Sequence, residues 1–141
     1  MSSIEREKQT GQAYLEKVAA QPGAKKTASG LLYLSLVEGS GASPTPTDRV
    51  KVHYTGKLVD GTVFDSSVRR GEPATFGLNQ IIACWQEALQ LMKPGGKARI
   101  VSPSNLAYGD RGAPPQIPPG ATLDFEIELL EVLAGRPRGV R

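Results

Sequence analysis

The chain has 141 residues, 39% of them apolar and 22% charged, which is enough for one domain with a single hydrophobic core. Its net charge is +3, but three of the 17 Lys and Arg (Arg136, Arg138 and Arg141) fall in the last six residues, and the other 14 balance the 14 Asp and Glu. A neutral body disfavours a nucleic-acid partner, and no apolar run approaches the roughly twenty residues of a membrane span.

The first segment predicts a short helix over residues 4–20. Pro22-Gly23 ends a pattern of residues that recur on one side at helical spacing, namely Ile4, Gly11, Tyr14, Leu15, Val18 and Ala19. We expect this helix to pack on the domain of a monomer, or to frame a weak dimer contact. The charged start of the chain is unlike a signal peptide, so the sequence as written predicts a cytoplasmic protein, or a periplasmic one if a signal has been removed.

Short strands and loops follow the helix. A linker is expected at 24–29 and Gly/Pro-rich loops at 39–48 and 104–120, and a compact helix is predicted at 84–92. In the final strand, apolar residues alternate with acidic ones, which indicates one buried face. The apolar residues are Leu123, Phe125, Ile127 and Leu129, and the acidic residues are Asp124, Glu126 and Glu128. The other strands are predicted at 31–38, 50–59, 62–66, 73–78 and 97–103.

These elements predict an α+β fold in which a curled antiparallel sheet wraps around one short helix. The predicted domain covers residues 24–133. A helical extension at 1–23 precedes it, and a basic, flexible tail at 134–141 follows it.

Groups for acid–base or metal chemistry are scarce. His53 is the only histidine, and it lies next to Tyr54 on a predicted strand, so the two side chains face opposite sides of the sheet. The chain contains no recognisable metal-ligand spacing and no Gly-rich phosphate loop. We therefore expect neither a metal nor a cofactor, and no catalytic role for His53.

Aromatic residues concentrate between residues 54 and 125, separated by loops rich in Gly and Pro. Because a domain of this size needs several aromatic residues in its core, a plain core and a rigid apolar pocket both fit the spacing. The aromatic set comprises Tyr54, Phe64, Phe76, Trp85, Tyr108 and Phe125.

The segments that carry these aromatics resemble, in order, the FKBP-type peptidyl-prolyl cis-trans isomerase domain. The resemblance runs from about Leu31 to Leu133, and the segments at 29–33 and 71–76 are most similar to the bacterial branch that includes the macrophage infectivity potentiator. The other matching segments are Val50-Lys51-Val52-His53-Tyr54-Thr55-Gly56, Thr62-Val63-Phe64-Asp65-Ser66-Ser67, 80–89, Leu106-Ala107-Tyr108-Gly109, Ile117-Pro118-Pro119-Gly120 and Ala121-Thr122-Leu123-Asp124-Phe125.

The resemblance implies an enzyme that rotates X-Pro bonds in proline-containing polypeptides and assists protein folding, and that binds macrolides such as rapamycin or tacrolimus. It implies that Trp85 is the pocket floor and that Tyr108 donates its hydroxyl to a ligand carbonyl. Asp65 is then an acceptor at the pocket edge, and Ile117, with the loop at 109–119, covers the entrance. The implied walls are Tyr54, Phe64, Phe76, Ile81, Ile82 and Phe125, and the Ile82 N–H is a second donor.

Several residues keep a second interpretation. Asp65 is also typical of a surface turn, and the segment 114–119 also suits an exposed polyproline ligand for an SH3-like partner. Cys84 and Ala74 stand where many family members have Gly and an aromatic residue. Cys84 is either a reactive thiolate in the first turn of a helix or a small buried residue, and Ala74 should open one wall. A client-binding chaperone module without turnover would use the same pocket.

Overall fold

Seven strands form one antiparallel sheet in the computed structural model, which describes residues 2–134. Three helices accompany the sheet: α1 (Ser3–Ala19), α2 (Ser67–Arg70) and α3 (Ala83–Leu91). The strands are β1 (Lys25–Lys26), β2 (Leu32–Val37), β3 (Arg49–Leu58), β4 (Val63–Ser66), β5 (Ala74–Gly77), β6 (Lys97–Ser102) and β7 (Leu123–Leu133).

The sheet is organised around the long pairing of β3 with β7. The order is β1-β2-β6-β7-β3-β4, and β5 pairs with the same edge of β3 as β4 does. The β3–β7 register runs from Arg49 opposite Leu133 to Leu58 opposite Leu123, with an irregularity between Lys51 and Val52. Strand β3 therefore brings β4, β5 and β7 together.

The two faces of the sheet are covered by different helices. Helix α3 lies on the inner face, where Trp85 and Leu89 are buried in the same cluster as Ile100, Phe125 and Ile127. Helix α1 lies on the outer face, where Val18 packs with Leu32, Leu34 and Val101. Because neighbouring strand residues face opposite sides, Ile100 and Val101 belong to the two separate clusters.

Helix α1 is capped at its start and ends close to the predicted residue. The Ser2 hydroxyl accepts from the Glu5 N–H and the Glu5 carboxylate accepts from the Ser2 N–H, which forms a capping box. The helix ends at Ala19, close to the predicted end at residue 20.

The predicted fold class is confirmed, with small differences in the elements. The expected linker contains the two-residue strand β1, because Lys25 and Lys26 pair with Tyr33 and Leu32. Helix α2 was not predicted, since a single turn is too short to produce a periodic apolar pattern. The predicted tail at 134–141 lies almost wholly outside the described residues. Among residues 2–134, no helix is long and apolar enough to cross a membrane.

Candidate active site

Trp85, in the first turn of α3, is the centre of an aromatic cluster. Three rings contact its indole nearly edge to face: Tyr54 at 4.9 Å between ring centres, Phe125 at 5.4 Å and Phe76 at 5.6 Å. Phe64 packs on Phe125 in the same way at 5.7 Å. Since edge-to-face is a favourable geometry for aromatic rings, these contacts stabilise the cluster.

This cluster surrounds an open cavity of about 410 Å³. The cavity walls come from four strands (β3, β4, β5 and β7), a 3₁₀ turn, the start of α3 and the loop that follows β6. The lining residues are Tyr54, Phe64, Asp65, Phe76, Gln80, Ile81, Ile82, Trp85, Tyr108 and Phe125. The aromatics therefore form a pocket as well as part of the core.

Nine of the ten residues chosen from the sequence line this cavity. The exception is Ile117, which is buried in the core cluster and is not among the lining residues. Gln80 was missed, although it directly precedes Ile81 in a matching segment. An amide beside an isoleucine pair carries no pattern of its own that marks a pocket residue.

Gly56 is a second residue that the sequence did not single out, and the aromatic wall depends on it. A Cβ at this position would lie 2.6 Å from Phe64 Cζ and 2.8 Å from Phe125 Cε1. Those distances are below any ordinary carbon contact, so a side chain at Gly56 would displace both rings. Glycine here allows close packing of the rings against β3.

Asp65 is held at the cavity edge by Tyr54 and Arg70. The Tyr54 hydroxyl donates to Asp65 Oδ2 at 2.6 Å, and Arg70 forms an ion pair with Asp65 and donates to the Tyr54 hydroxyl at 3.0 Å. The Arg70 guanidinium also lies 5.7 Å from the centre of the Tyr54 ring. Helix α2 brings Arg70 to this position, since the Ser66 hydroxyl caps its start and Gly71, with φ of 76°, ends it.

These contacts fix the protonation states of the two groups. Partial burial raises the pKa of Asp65, but the hydrogen bonds from Tyr54 and Arg70 outweigh burial and bring the pKa below its ordinary value. Burial and the bond to Asp65 raise the pKa of Tyr54. At neutral pH the edge of the cavity therefore carries an ionised carboxylate and a neutral phenol.

Two of the residues that line the cavity, Tyr108 and Ile82, have a hydrogen-bond donor without a partner among residues 2–134. The Tyr108 side chain is 39% exposed, and its hydroxyl has no hydrogen bond within residues 2–134. Partial burial raises its pKa, so it stays a neutral donor. Ile82 is the N-cap of α3, and within the described part of the chain its N–H has no acceptor.

His53 and Cys84 take no part in the cavity. His53 Nδ1 lies 2.8 Å from the Ser67 hydroxyl, which also accepts from the Tyr54 N–H, and His53 does not line the pocket. The Cys84 thiol is buried, and burial raises its pKa to about 12. The reactive-thiolate interpretation of Cys84 is therefore wrong, and Cys84 is a small core residue.

The Pro-rich loop folds back on itself and does not present a polyproline ligand. Ala113 and Ile117 exchange backbone hydrogen bonds of 2.9 and 3.1 Å around the exposed residues 114–116. An extended polyproline helix has no internal hydrogen bonds, so the SH3-ligand interpretation is contradicted.

The part of the chain that the structure describes contains no cluster of His, Cys, Asp and Glu able to hold a metal. The cavity is instead apolar, with donors and one carboxylate at its rim. Residues 41–130 match the family model described as FKBP-type peptidyl-prolyl cis-trans isomerase.

The chain belongs to this family. It is 57% identical over 123 residues to the FKBP-type 22 kDa peptidyl-prolyl cis-trans isomerase of Escherichia coli K12, a match that covers 87% of this chain and 60% of the relative. It is 50% identical over 120 residues to the peptidyl-prolyl cis-trans isomerase Mip of Coxiella burnetii, covering 85% and 52%. The predicted likeness to the infectivity-potentiator branch of the FKBP family is thereby confirmed.

Two solved structures share the fold. The crystal structure of FkpA from Escherichia coli superposes with a TM-score of 0.92 at 42% identity, covering 94% of this chain and 62% of that one. A peptidyl-prolyl cis-trans isomerase from Pseudomonas syringae pv. tomato gives 0.87 at 39% identity, covering 94% and 98%. The chain spans about half to three fifths of the length of its first curated FKBP relatives.

Proposed function

We propose that this protein catalyses cis-trans isomerisation of X-Pro peptide bonds in polypeptide substrates. The observation that carries the proposal is the aromatic cavity of about 410 Å³ with two unpaired donors, Tyr108 and Ile82, at its rim. A proline ring is a small apolar group, and it suits a floor made of Trp85. The carbonyls on either side of the ring are acceptors that such donors can hold.

Desolvation is the proposed source of the rate acceleration. The barrier of roughly 18–20 kcal/mol arises from amide resonance, which is lost when the bond twists. The planar amide is more polar than the twisted one, so water stabilises the ground state more than the transition state. Moving the imide from water into an apolar cavity therefore lowers the barrier, and no proton has to be transferred.

The rim is proposed to set the orientation of the substrate. The Tyr108 hydroxyl and the Ile82 N–H hold flanking carbonyls in register, so the proline enters the cavity in a productive pose. The Asp65 carboxylate accepts from a donor on the ligand, and its bonds to Tyr54 and Arg70 keep it ionised and fixed for that role. Orientation and desolvation together require no nucleophile or base.

The same site is proposed to bind macrolides such as rapamycin or tacrolimus. These ligands need an apolar cavity with carbonyl-binding donors, which the residues around Trp85 supply. Ala74 lies on β5, two residues before Phe76, where an aromatic side chain would extend the wall. The smaller side chain leaves this wall open, which should weaken binding of a bulky ligand.

A client-binding module without turnover is the second candidate, because a pocket that binds proline need not accelerate isomerisation. A protease-coupled or NMR exchange assay on a Pro-containing peptide, with and without rapamycin, separates the two. Turnover that rapamycin suppresses supports the enzyme. Peptide binding at the cavity with exchange as slow as in buffer supports the module, and it would refute the proposed activity.

We propose that the folded unit is a monomer. The apolar side of α1 is already packed against the outer face of the sheet through Val18, Leu15 and Tyr14, so it is not free to form a dimer contact. Sedimentation at micromolar concentration should give the mass of one chain, and a stable dimer would overturn this.

A further inference from the structure

Helix α1 contacts the base of the loop that carries Tyr108. Lys8 Nζ lies 2.7 Å from Asp110 Oδ1. At the other end of the loop, a Cβ on Gly120 would lie 2.9 Å from Ile4 Cγ1, so the loop backbone approaches the helix closely. The Gly120 N–H donates to the Gly109 carbonyl at 3.0 Å and closes the loop between these two contacts.

The same helix also holds the chain where it enters β7. A Cβ on Gly11 would lie 2.2 Å from Thr122 Oγ1 and 2.9 Å from Thr122 Cβ, so the helix meets the residue before β7 with no spare space. Three residues later in the helix, the Tyr14 hydroxyl donates to Asp124 Oδ2 at 2.6 Å. Since strand residues alternate, Phe125 faces the opposite side and forms a cavity wall.

The position of the Tyr108 side chain depends on this loop. Its hydroxyl has no bond within residues 2–134, so no side-chain hydrogen bond fixes it. Its backbone is fixed, because the Tyr108 carbonyl accepts from the Gly112 N–H at 3.0 Å and Gly109 is tied to Gly120. Displacement of the loop base would therefore move Tyr108.

We propose that α1 positions the site from behind the sheet, with Gly11 and Lys8 as positioning residues for Tyr108 and Phe125. The proposal rests on the isomerase function proposed above. It makes α1 a part of the working domain, although no α1 residue lines the cavity.

The most direct perturbation is Gly11→Ala. Alanine is the better helix former, so the change favours α1 as an isolated helix, but the added Cβ collides with Thr122. Ala13→Val is the matched control, because Ala13 is exposed on the same helix and its change lowers helix propensity without a collision. Gly11→Ala raises helix propensity but disturbs packing, whereas Ala13→Val lowers helix propensity and leaves packing intact. An effect seen only in Gly11→Ala therefore comes from the packing of α1 on the domain and not from the stability of the helix itself.

The first measurement is NMR on the full chain. The amide resonances of Tyr108, the 109–112 segment and Phe125 should shift in Gly11→Ala and stay in place in Ala13→Val. This measurement does not depend on turnover, so it tests the positioning even if the wild-type chain proves inactive. Unchanged resonances at Tyr108 and Phe125 in Gly11→Ala, together with unchanged resonances in Lys8→Glu, would overturn the inference.

The second measurement is kcat/KM on a short Pro peptide, at a temperature where each variant is folded. We expect Gly11→Ala to lose about two- to tenfold, because the part that acts through Tyr108 cannot exceed the worth of one hydrogen bond. In a Tyr108→Phe background the loss from Gly11→Ala should be smaller, because the hydroxyl that α1 positions is then absent. Equal losses in both backgrounds would contradict the positioning of Tyr108 by Gly11.

The Lys8–Asp110 pair gives an independent test by charge exchange. Lys8→Glu should move the same resonances by a smaller amount than Gly11→Ala, because an exposed ion pair contributes little. Adding Asp110→Lys should restore them. If the resonances of the double variant stay shifted as far as those of Lys8→Glu, the Lys8–Asp110 ion pair does not hold the loop in position.

Discussion

Removing the aromatic wall at Phe125 should slow isomerisation more than deleting the Tyr108 hydroxyl. Phe125 is 3% exposed and packs against Trp85 and Phe64. Phe125→Ala therefore opens the cavity wall to water, which is the solvent that stabilises the planar imide. Tyr108→Phe keeps the ring, and it leaves no partner stranded because the hydroxyl has no bond within residues 2–134.

The expected magnitudes differ by about a decade. A hydrogen bond has a net worth of about 0.5–1.5 kcal/mol, so Tyr108→Phe should lower kcat/KM by about tenfold or less. Full burial of a Phe side chain is worth about 1.5–3 kcal/mol. If the twisted imide loses that contribution, Phe125→Ala should cost about ten- to 150-fold in kcat/KM.

The assay has to separate catalysis from folding. Phe→Ala in a core destabilises by about 3–5 kcal/mol, so kcat/KM must be measured where near-UV circular dichroism shows each variant folded. Phe125→Leu is the matched control, because it keeps apolar bulk in the wall and should lose less activity than Phe125→Ala. His53→Ala should retain wild-type kcat/KM, and the rate should not change between pH 5 and 8 in the way that an acid–base step requires.

Two outcomes would refute the dry-cavity mechanism even if the protein is an isomerase. One is a larger loss from Tyr108→Phe than from Phe125→Ala in folded protein. The other is loss of activity in His53→Ala, which would require a proton transfer that the cavity residues do not explain.

Three further predictions concern single residues and one concerns a ligand. Cys84 should resist iodoacetamide in the native protein at pH 8 and react quickly in guanidinium, since burial raises its pKa to about 12; fast native alkylation would contradict its burial. Asp65 has a lowered pKa, so its stabilising contribution should be complete above its unfolded pKa of about 3.9 and be lost as the pH falls through the lower folded value; urea unfolding of Asp65→Asn should lack this acid-side loss. Gly56→Ala should weaken both stability and turnover, because its Cβ would displace Phe64; wild-type kcat/KM in this variant would show that the rings can move freely. Calorimetry should show that rapamycin binds at micromolar concentration, and that it binds more tightly to Ala74→Phe. The absence of a heat of binding would contradict the proposed macrolide site.

The sequence predicted the structure correctly where a local pattern is compatible with only one element. Alternation in β7 predicted its buried face, and Pro22 together with apolar spacing predicted α1 to within a residue or two. The order of aromatic segments identified nine lining residues through their family resemblance. Spacing alone would have left these aromatics as an ordinary core.

The residues that the sequence missed act through close contact between distant segments. Gly11 looked like one member of a helical pattern, yet its contact is with Thr122, over a hundred residues away. Gly56 lies in the middle of a strand that already fits an alternating pattern. No local signal shows that a glycine is required because a neighbouring ring occupies the space of its Cβ.

Ile117 shows the converse limit. Its place in a matching segment implied a cover over the cavity, while the structure buries its side chain in the core cluster. An isoleucine in a loop fits either role by sequence, because both bury an apolar side chain. The structure places Ile117 in the buried cluster that also contains Trp85 and Phe125, but not among the residues that line the cavity.

Residues of the cavity wall and residues of the rim differ in how freely they can be substituted. Trp85, Tyr54 and Phe125 are buried, so a change in any of them alters stability and catalysis together. Tyr108 is 39% exposed and the Ile82 donor is a backbone group, so substrate contacts at the rim can change with little effect on the core. Differences in substrate preference between relatives should therefore map to the rim and to open positions such as Ala74. Grafting the residues at Tyr108 and Ala74 from a relative should change the preferred residue before proline while the urea midpoint stays constant, and a graft that shifts stability without shifting preference would show that the core sets specificity.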